Sequence, residues 1–376
     1  MVILKQVNKN LKIILDSMFD SFSKLAGSVL IKPNWGGRLP IIRGENTDPL
    51  FLKILTETLI KRGVKKIYIG HYPLLKIGSG DYSFNNLLKI TKVDRIKFPK
   101  SVELLDLENV EKERINIEEF EFHLPKFMKD VFYINLAKLK THVETKASLC
   151  MKNQMGMLPA QDRILMHKKE LEKGIALLAT KLKPDLCIID GIVSMDKNGP
   201  HHGRTRKTNI LIYSDNLLEA DYLASYLMGY SPKEIKHINM AINLDVGRIP
   251  SNDAMGKYEK FILTNFVLPG ESINKFGLSI WPTTACSQCI FNLAKTQNYL
   301  KRSPRLLCKL FFTKKNTFNI VIGKGENIKN KKLTNIIAIG ECTNGIAKEN
   351  NVAHLRGCPP AAKDIYKFMK KLIIGL

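Results

Sequence analysis

Two cysteines separated by two residues, Cys286 and Cys289, are followed by Cys308, Cys342 and Cys358 in the last quarter of a 376-residue chain. Its other two cysteines are Cys150 and Cys187. A C-x2-C pair can present both sulfurs to one inorganic centre from a single turn, and folding must bring the remaining ligands from distant segments. Cys342 ends the strand-like TNIIAIGEC, and Cys358 lies in Gly357-Cys358-Pro359-Pro360 just ahead of a helical pattern. The two prolines fix φ and remove two backbone donors, so they hold the Cys358 sulfur in one direction. The helix N-terminus beyond them favours an anionic thiolate or cluster. A 4Fe–4S cluster on Cys286, Cys289, Cys342 and Cys358 is the first expectation, with Cys308 a spare thiol or substitute ligand. Zinc at the same thiolates, or thiols with no metal, are the alternatives.

A second dense stretch, INLAKLKTHVETKASLCMKNQMGMLP at 134–159, crowds Lys138, Lys140, His142, Lys146 and Lys152 onto a strand end and the segment after it. In a parallel sheet that position is the carboxyl edge, where ligands bind. Lys32, Asn34, Lys152, Asn153 and Asn198 form the candidate set for holding a small anionic molecule, the lysines acting as point charges toward phosphate or carboxylate. Solvated strand-end lysines are the plainer reading. Lys140, His142, His167 and Asp190 are the candidate catalytic groups, since imidazole titrates near neutrality and can carry protons or bind metal. Asp190, placed at another strand end, would orient a lysine or histidine or share a divalent metal with Asp221. The bland counterparts are hydrogen-bonded structural histidines and, for Asp221, a helix N-terminal charge. His201 and His202 are adjacent on an extended loop and point apart. Gly36-Gly37 and the GKG at 323–325 match no phosphate loop, and there is no GxSxG elbow.

The elements that must position these residues alternate between strand and helix. SVLIKPNW (28–35) is a short apolar run; TDPLFLKILTETLIKRG (47–63) has helical spacing with Thr47 or Asp48 as N-cap, Pro49 in the first turn and Gly63 as terminator; KKIYIGHY (65–72) is again a strand. Such a unit implies parallel pairing through a right-handed crossover. DVFYINLAKLKTH (130–142), PDLCIIDGI (184–192) and NILIYSD (209–215) repeat the strand signature, with helices predicted over 170–182 and 217–229. The economical fold is an open, mostly parallel α/β sheet with helices on both faces over 1–255. A smaller α/β domain carrying the cysteines follows over 256–376, with strands at 316–326 and 334–342 and a helix at 361–374.

Chain length alone favours two domains, because one core usually stops growing at about 250–300 residues. The N-terminal MVILKQVNKNLKIILDSMF threads lysines through its apolar positions, so it does not read as a signal peptide, and no run approaches a membrane span. A cytoplasmic protein with reduced thiols is the expectation. The net charge of +24 fits nucleic acid, anionic membrane or acidic substrates, yet the lysines are spread along the chain and no nucleic-acid-binding motif is present. The expected partner is therefore a small anion or a redox protein rather than nucleic acid; oligomeric state is not set by the sequence.

IGECTNGIAKENNVAHLRGCPP (339–360) resembles the cluster-binding stretch of nickel–iron hydrogenase small subunits and the related complex I subunit. The larger part is similar to the family named domain of unknown function 362. The matching elements are IKPNW, TDP at 47–49, LKTH at 139–142, the segment from Thr145 to Gly156, His167, IIDGI, NGPHHG at 198–203, and SDNLLEADYLASYLMGY with Asp215 and Asp221. That resemblance implies the α/β fold and, in many members, iron–sulfur ligands. The compact C-x2-C-x2-C-x3-C run of ferredoxin-type inserts is absent here, and the cysteines are dispersed.

Overall fold

The computed structural model describes residues 1–7, 10–20, 25, 27–36, 44–73, 81–200, 202–269, 273–275, 278–283, 285, 287–300, 302–312, 318–323, 328 and 332–374. The chain forms two compact units, Met1–Leu268 and Pro269–Leu376. The first extends past residue 255 because Tyr258 and Phe266 are buried in its apolar core.

Ten strands belong to the first unit: β1 (Ile3–Gln6), β2 (Ser28–Lys32), β3 (Lys66–His71), β4 (Val102–Asp106), β5 (Lys112–Ile117), β6 (Phe120–Pro125), β7 (Phe132–His142), β8 (Lys146–Ser148), β9 (Leu186–Asn198) and β10 (His202–Ser214). Eight of them make one sheet in the order β1-β10-β9-β7-β2-β3-β4, with β8 paired to β7, while β5 and β6 form a separate hairpin. Strands β9, β7, β2, β3 and β4 run parallel. Strands β10 and β1 close one edge antiparallel.

That edge departs from the expected pattern in two ways. NILIYSD returns antiparallel to β9, and Asn198 pairs with His202 at the far end of a long hairpin, so this stretch is not a connection to a helix. Moreover, β9 does not end near Asp190; it continues to Asn198. Asp190 is thus a mid-strand residue. The polar run SMDKN after it pairs with β10 instead of leaving the sheet, which a reading based on apolar length does not detect.

Residues alternate between two apolar layers with the period of two that a strand imposes. Val29, Ile31, Ile134 and Leu136 enter one layer, with Leu52, Leu55 and Leu59 of the helix Pro49–Lys61. Leu30, Tyr133, Ala137 and Leu139 enter the other, with residues of the helices Leu171–Lys181 and Leu217–Leu227. The helix Pro49–Lys61 starts as its sequence suggests: the Asp48 side chain accepts from Leu50 N–H, and Pro49 occupies the first turn, where no donor is needed.

In the second unit, β11 (Ile273–Lys275), β12 (Leu278–Thr283), β13 (Phe318–Gly323), β14 (Ile336–Ile339) and β15 (Ala353–Leu355) lie in sequential order, parallel from β12 onward. Helices Ser287–Leu300, Pro304–Phe312 and Ala362–Ile374 accompany them. Among the described residues no helix is long and apolar enough to cross a membrane.

Candidate functional site

From β2 the chain crosses to β3, and from β7 it crosses to β9 on the opposite side of the sheet. The carboxyl ends of β2 and β7 therefore diverge at a topological switch point, the crevice where open α/β sheets bind ligands. Lys32 ends β2 and Asn34 lies two residues beyond it, while Lys140 stands near the end of β7.

Asn153 ties these strand ends together. Its Nδ2 donates to Asn135 Oδ1 at 2.8 Å and to the Lys32 carbonyl at 3.3 Å. Its Oδ1 accepts from Asn34 Nδ2 at 2.9 Å and lies 3.4 Å from Lys32 Nζ. Lys32 Nζ also donates to the Pro33 carbonyl at 2.5 Å. Asn34 Oδ1 in turn accepts from Lys140 Nζ at 2.6 Å, and Lys140 donates again to the Glu45 carbonyl at 2.8 Å. Lys32, Asn34, Lys140 and Asn153 are all buried.

Two further basic side chains close the group. His71, the last residue of β3, has Nδ1 2.5 Å from the Tyr72 carbonyl. A carbonyl only accepts, so Nδ1 carries the proton and Nε2 presents a lone pair. Arg163 Nη2 donates to the Pro73 carbonyl at 2.9 Å. Gly156 lets these groups approach: a Cβ there would stand 2.6 Å from Lys32 Nζ and 2.8 Å from His71 Nε2, closer than any side chain permits.

The electrostatics follow from burial. Lys32 is held well below the usual lysine value, first by desolvation and then by the charges of Arg163 and Lys140. Lys140 is lowered to about 8, mainly by burial, with Lys138 and Lys152 adding to the effect and Glu45 opposing it. His71 is lowered by burial and by Lys32 and Arg163, which keeps the imidazole neutral. Among the described residues no carboxylate lies within ion-pair distance of Lys32 or Lys140. Such a concentration of buried donors suits an anion.

The other predicted residues are placed differently. Asp190 pairs with Lys138 at 2.7 Å, each side chain 2% exposed, and its second oxygen accepts from Ile192 N–H; this ion pair is complete in itself. His142 Nδ1 accepts from the N–H groups of Glu144 and Thr145, so its ring braces the turn after β7. His167, on the helix Ala160–Lys168, faces Glu144 Oε1 at 3.4 Å. Lys152 is half-buried beside Asn153, and its charge acts on Lys140 and Glu172. Asn198 ends β9 at the hairpin tip, where Gly199 N–H donates to Thr141 Oγ1, apart from the Asn153 network. Asp221, buried, accepts from Cys150 and Met151 N–H at 2.8 Å each and so caps the short helix Cys150–Asn153. His201 lies outside the described residues.

Sequence reasoning missed His71, Asn135, Gly156 and Arg163 as members of this group. His71 had a signal, since it ends a predicted strand of the parallel sheet. Arg163 had none, because it arrives on a helix remote in sequence from both strand ends.

In the second unit, Gly340 and Gly357 adopt φ of +98° and +129°, which only glycine takes without strain. Glu341 N–H donates to the Gly357 carbonyl at 2.9 Å, which sets Cys342 and Cys358 each one residue from a shared contact. A Cβ on Gly340 would lie 3.8 Å from both the Cys289 sulfur and the Gly357 carbonyl. Asn292 Nδ2 donates to the Pro360 carbonyl at 2.9 Å, fastening the helix of Cys289 to the turn of Cys358. The Cys289 sulfur and the backbone next to Cys342 and Cys358 thus border one glycine turn. Cys289 is buried, while Cys342, Cys358 and Cys308 are exposed. Cys286 lies outside the described residues. Among those described, no group of three or more His, Cys, Asp and Glu side chains is arranged to hold a metal ion.

The sequence matches the family described as Domain of unknown function (DUF362) over residues 29–226, a span that holds every member of the Lys32–Lys140 group. It is similar to a thylakoid-associated protein of Synechocystis sp., at 32% identity over 108 residues, covering 27% of this chain and 34% of that protein. The chain therefore spans about a third of the length of that curated relative. No solved structure matches.

Proposed function

The chain belongs to the DUF362 family, and on that footing we propose that its first unit binds a small anionic substrate at the β2–β7 switch point. We further propose that its second unit holds an iron–sulfur cluster that exchanges electrons with that substrate or with a partner. The observation that carries the reading is the buried set Lys32, Lys140, His71 and Arg163, brought together where parallel sheets bind ligands, with no carboxylate among the described residues within ion-pair distance of Lys32 or Lys140. A phosphate or carboxylate would accept from several of these donors at once and would offset their mutual repulsion.

Support for the cluster is the Cys289 sulfur beside Gly340, next to the backbone contact that brings the chain at Cys342 and at Cys358 together, with Cys286 proposed as the fourth ligand from the same C-x2-C pair. The described thiols alone do not make a complete ligand set. A cluster would supply one-electron chemistry with little change of geometry. The protein's own residues would seat the anion, keep it desolvated and hold His71 as a neutral base.

A second reading, acid–base catalysis with a structural metal at the cysteines, draws on the Glu144–His167 pair beside the β7 turn. Visible absorption and iron and sulfide analysis on protein purified without oxygen separate the two. Cys358→Ser should abolish the spectrum, and Lys140→Ala should leave it intact while weakening substrate binding about tenfold, as loss of a charged hydrogen bond does. A colourless protein with stoichiometric zinc rules out the redox reading.

A further inference from the structure

Lys32 and His71 form a pair that anion binding alone does not require. Their nitrogens converge on the space that a Cβ of Gly156 would fill, the imidazole presenting Nε2 because Nδ1 is committed to the Tyr72 carbonyl. Among the described residues Lys32 donates to a backbone carbonyl and an amide oxygen, and no carboxylate there holds it as ammonium. Its neighbours Arg163, Lys140 and His71 are all basic.

We propose that Lys32 is a covalent nucleophile that forms an imine with the carbonyl group of a small 2-oxo acid, whose carboxylate is held by Lys140 and Arg163. This deepens the anion-binding reading and rests on it. The neutral Lys32 nitrogen attacks the carbonyl carbon, forming the C–N bond as the C=O π pair moves to oxygen. His71 Nε2 takes a proton from the new ammonium nitrogen and returns it to that oxygen. One proton taken from solvent through His71 then protonates the resulting hydroxyl, water leaves with the C–O bonding pair as the nitrogen lone pair closes the C=N bond, and His71 Nε2 returns to solvent the proton left on the iminium nitrogen. The sum is amine plus carbonyl giving imine plus water, so no oxidant or reductant is consumed.

The surroundings suit each step. A lysine activates as a nucleophile when it is desolvated and set beside another cation, and burial with Arg163 and Lys140 nearby does both. Asn153 and the Pro33 carbonyl fix the direction of Nζ.

The test is reductive trapping of the intact protein with pyruvate and sodium borohydride near neutral pH, followed by peptide mapping. The expected result is a secondary-amine adduct on Lys32 at least tenfold above that on any other lysine, suppressed by inorganic phosphate. His71→Gln should slow its formation by about a hundredfold, the usual scale for a lost acid–base group. No adduct, or adducts confined to other lysines, overturns the proposal. Calorimetric titration of pyruvate on the same preparation separates the two ideas: binding without trapping leaves anion recognition standing and removes only the imine, while absence of binding removes both.

Discussion

The buried Lys138–Asp190 pair and the buried Lys32 show two outcomes for the same side chain. Lys138 has its carboxylate at 2.7 Å and is electrically complete. Lys32 has none among the described residues and is pushed toward the neutral amine. Removing one partner of a buried pair costs about 3–5 kcal/mol, because the other is left uncompensated. Asp190→Asn should therefore lower unfolding stability by about that amount in denaturant titrations. A loss under 1 kcal/mol would mean that Asp190 is not structural and would return it to the candidate catalytic set. At this scale the sequence was half legible. Lysines recurring along a strand that ends in Thr-His announced a basic strand end, but the i, i+2 spacing could not tell that Lys138 is neutralised across the sheet and Lys140 is not. That distinction depends on the β7–β9 register, which shifts between these two residues.

The short helix Cys150–Asn153 is held by Asp221 from the helix Leu217–Leu227. It delivers Asn153 to the site, with Gly156 following directly. Burial raises the Asp221 carboxyl to about 6, against the two N–H groups that favour its ionised form. A carboxyl raised in the folded state contributes stability that is fully present below its unfolded value near 4 and lost as the pH rises through 6. The stability of the wild type relative to Asp221→Asn should accordingly increase by about 3 kcal/mol between pH 7 and pH 4, measured by urea unfolding at each pH. Parallel pH profiles for the two proteins would show that Asp221 is not the buried acid described. Element type and order were readable from apolar periodicity and caps, as the Asp48–Pro49 helix start shows. The sense of β10 was not, because its signature is the same whether it returns by a hairpin or a crossover.

On the scale of the whole molecule, the formal charge of +24 has one local expression that matters to function. Part of it is buried at the switch point, where it is not screened by water. In the second unit the Cys289 sulfur lies beside Gly340, and Cys342 and Cys358 are exposed. The cysteine spacing pointed to a shared inorganic centre; the approach of Cys289 to Gly340 was not readable from it, because it depends on how β14 and the helix Ser287–Leu300 pack. The residue group at the switch point, where an anion is proposed to bind, was legible only in part, since it draws residues from four separated segments. Its most direct test is calorimetric titration of the intact protein with inorganic phosphate at low salt, beside Lys140→Ala. The account predicts one saturable site per chain whose affinity falls about tenfold in the variant. Equal affinity in both proteins, or only weak non-saturable binding, would contradict it.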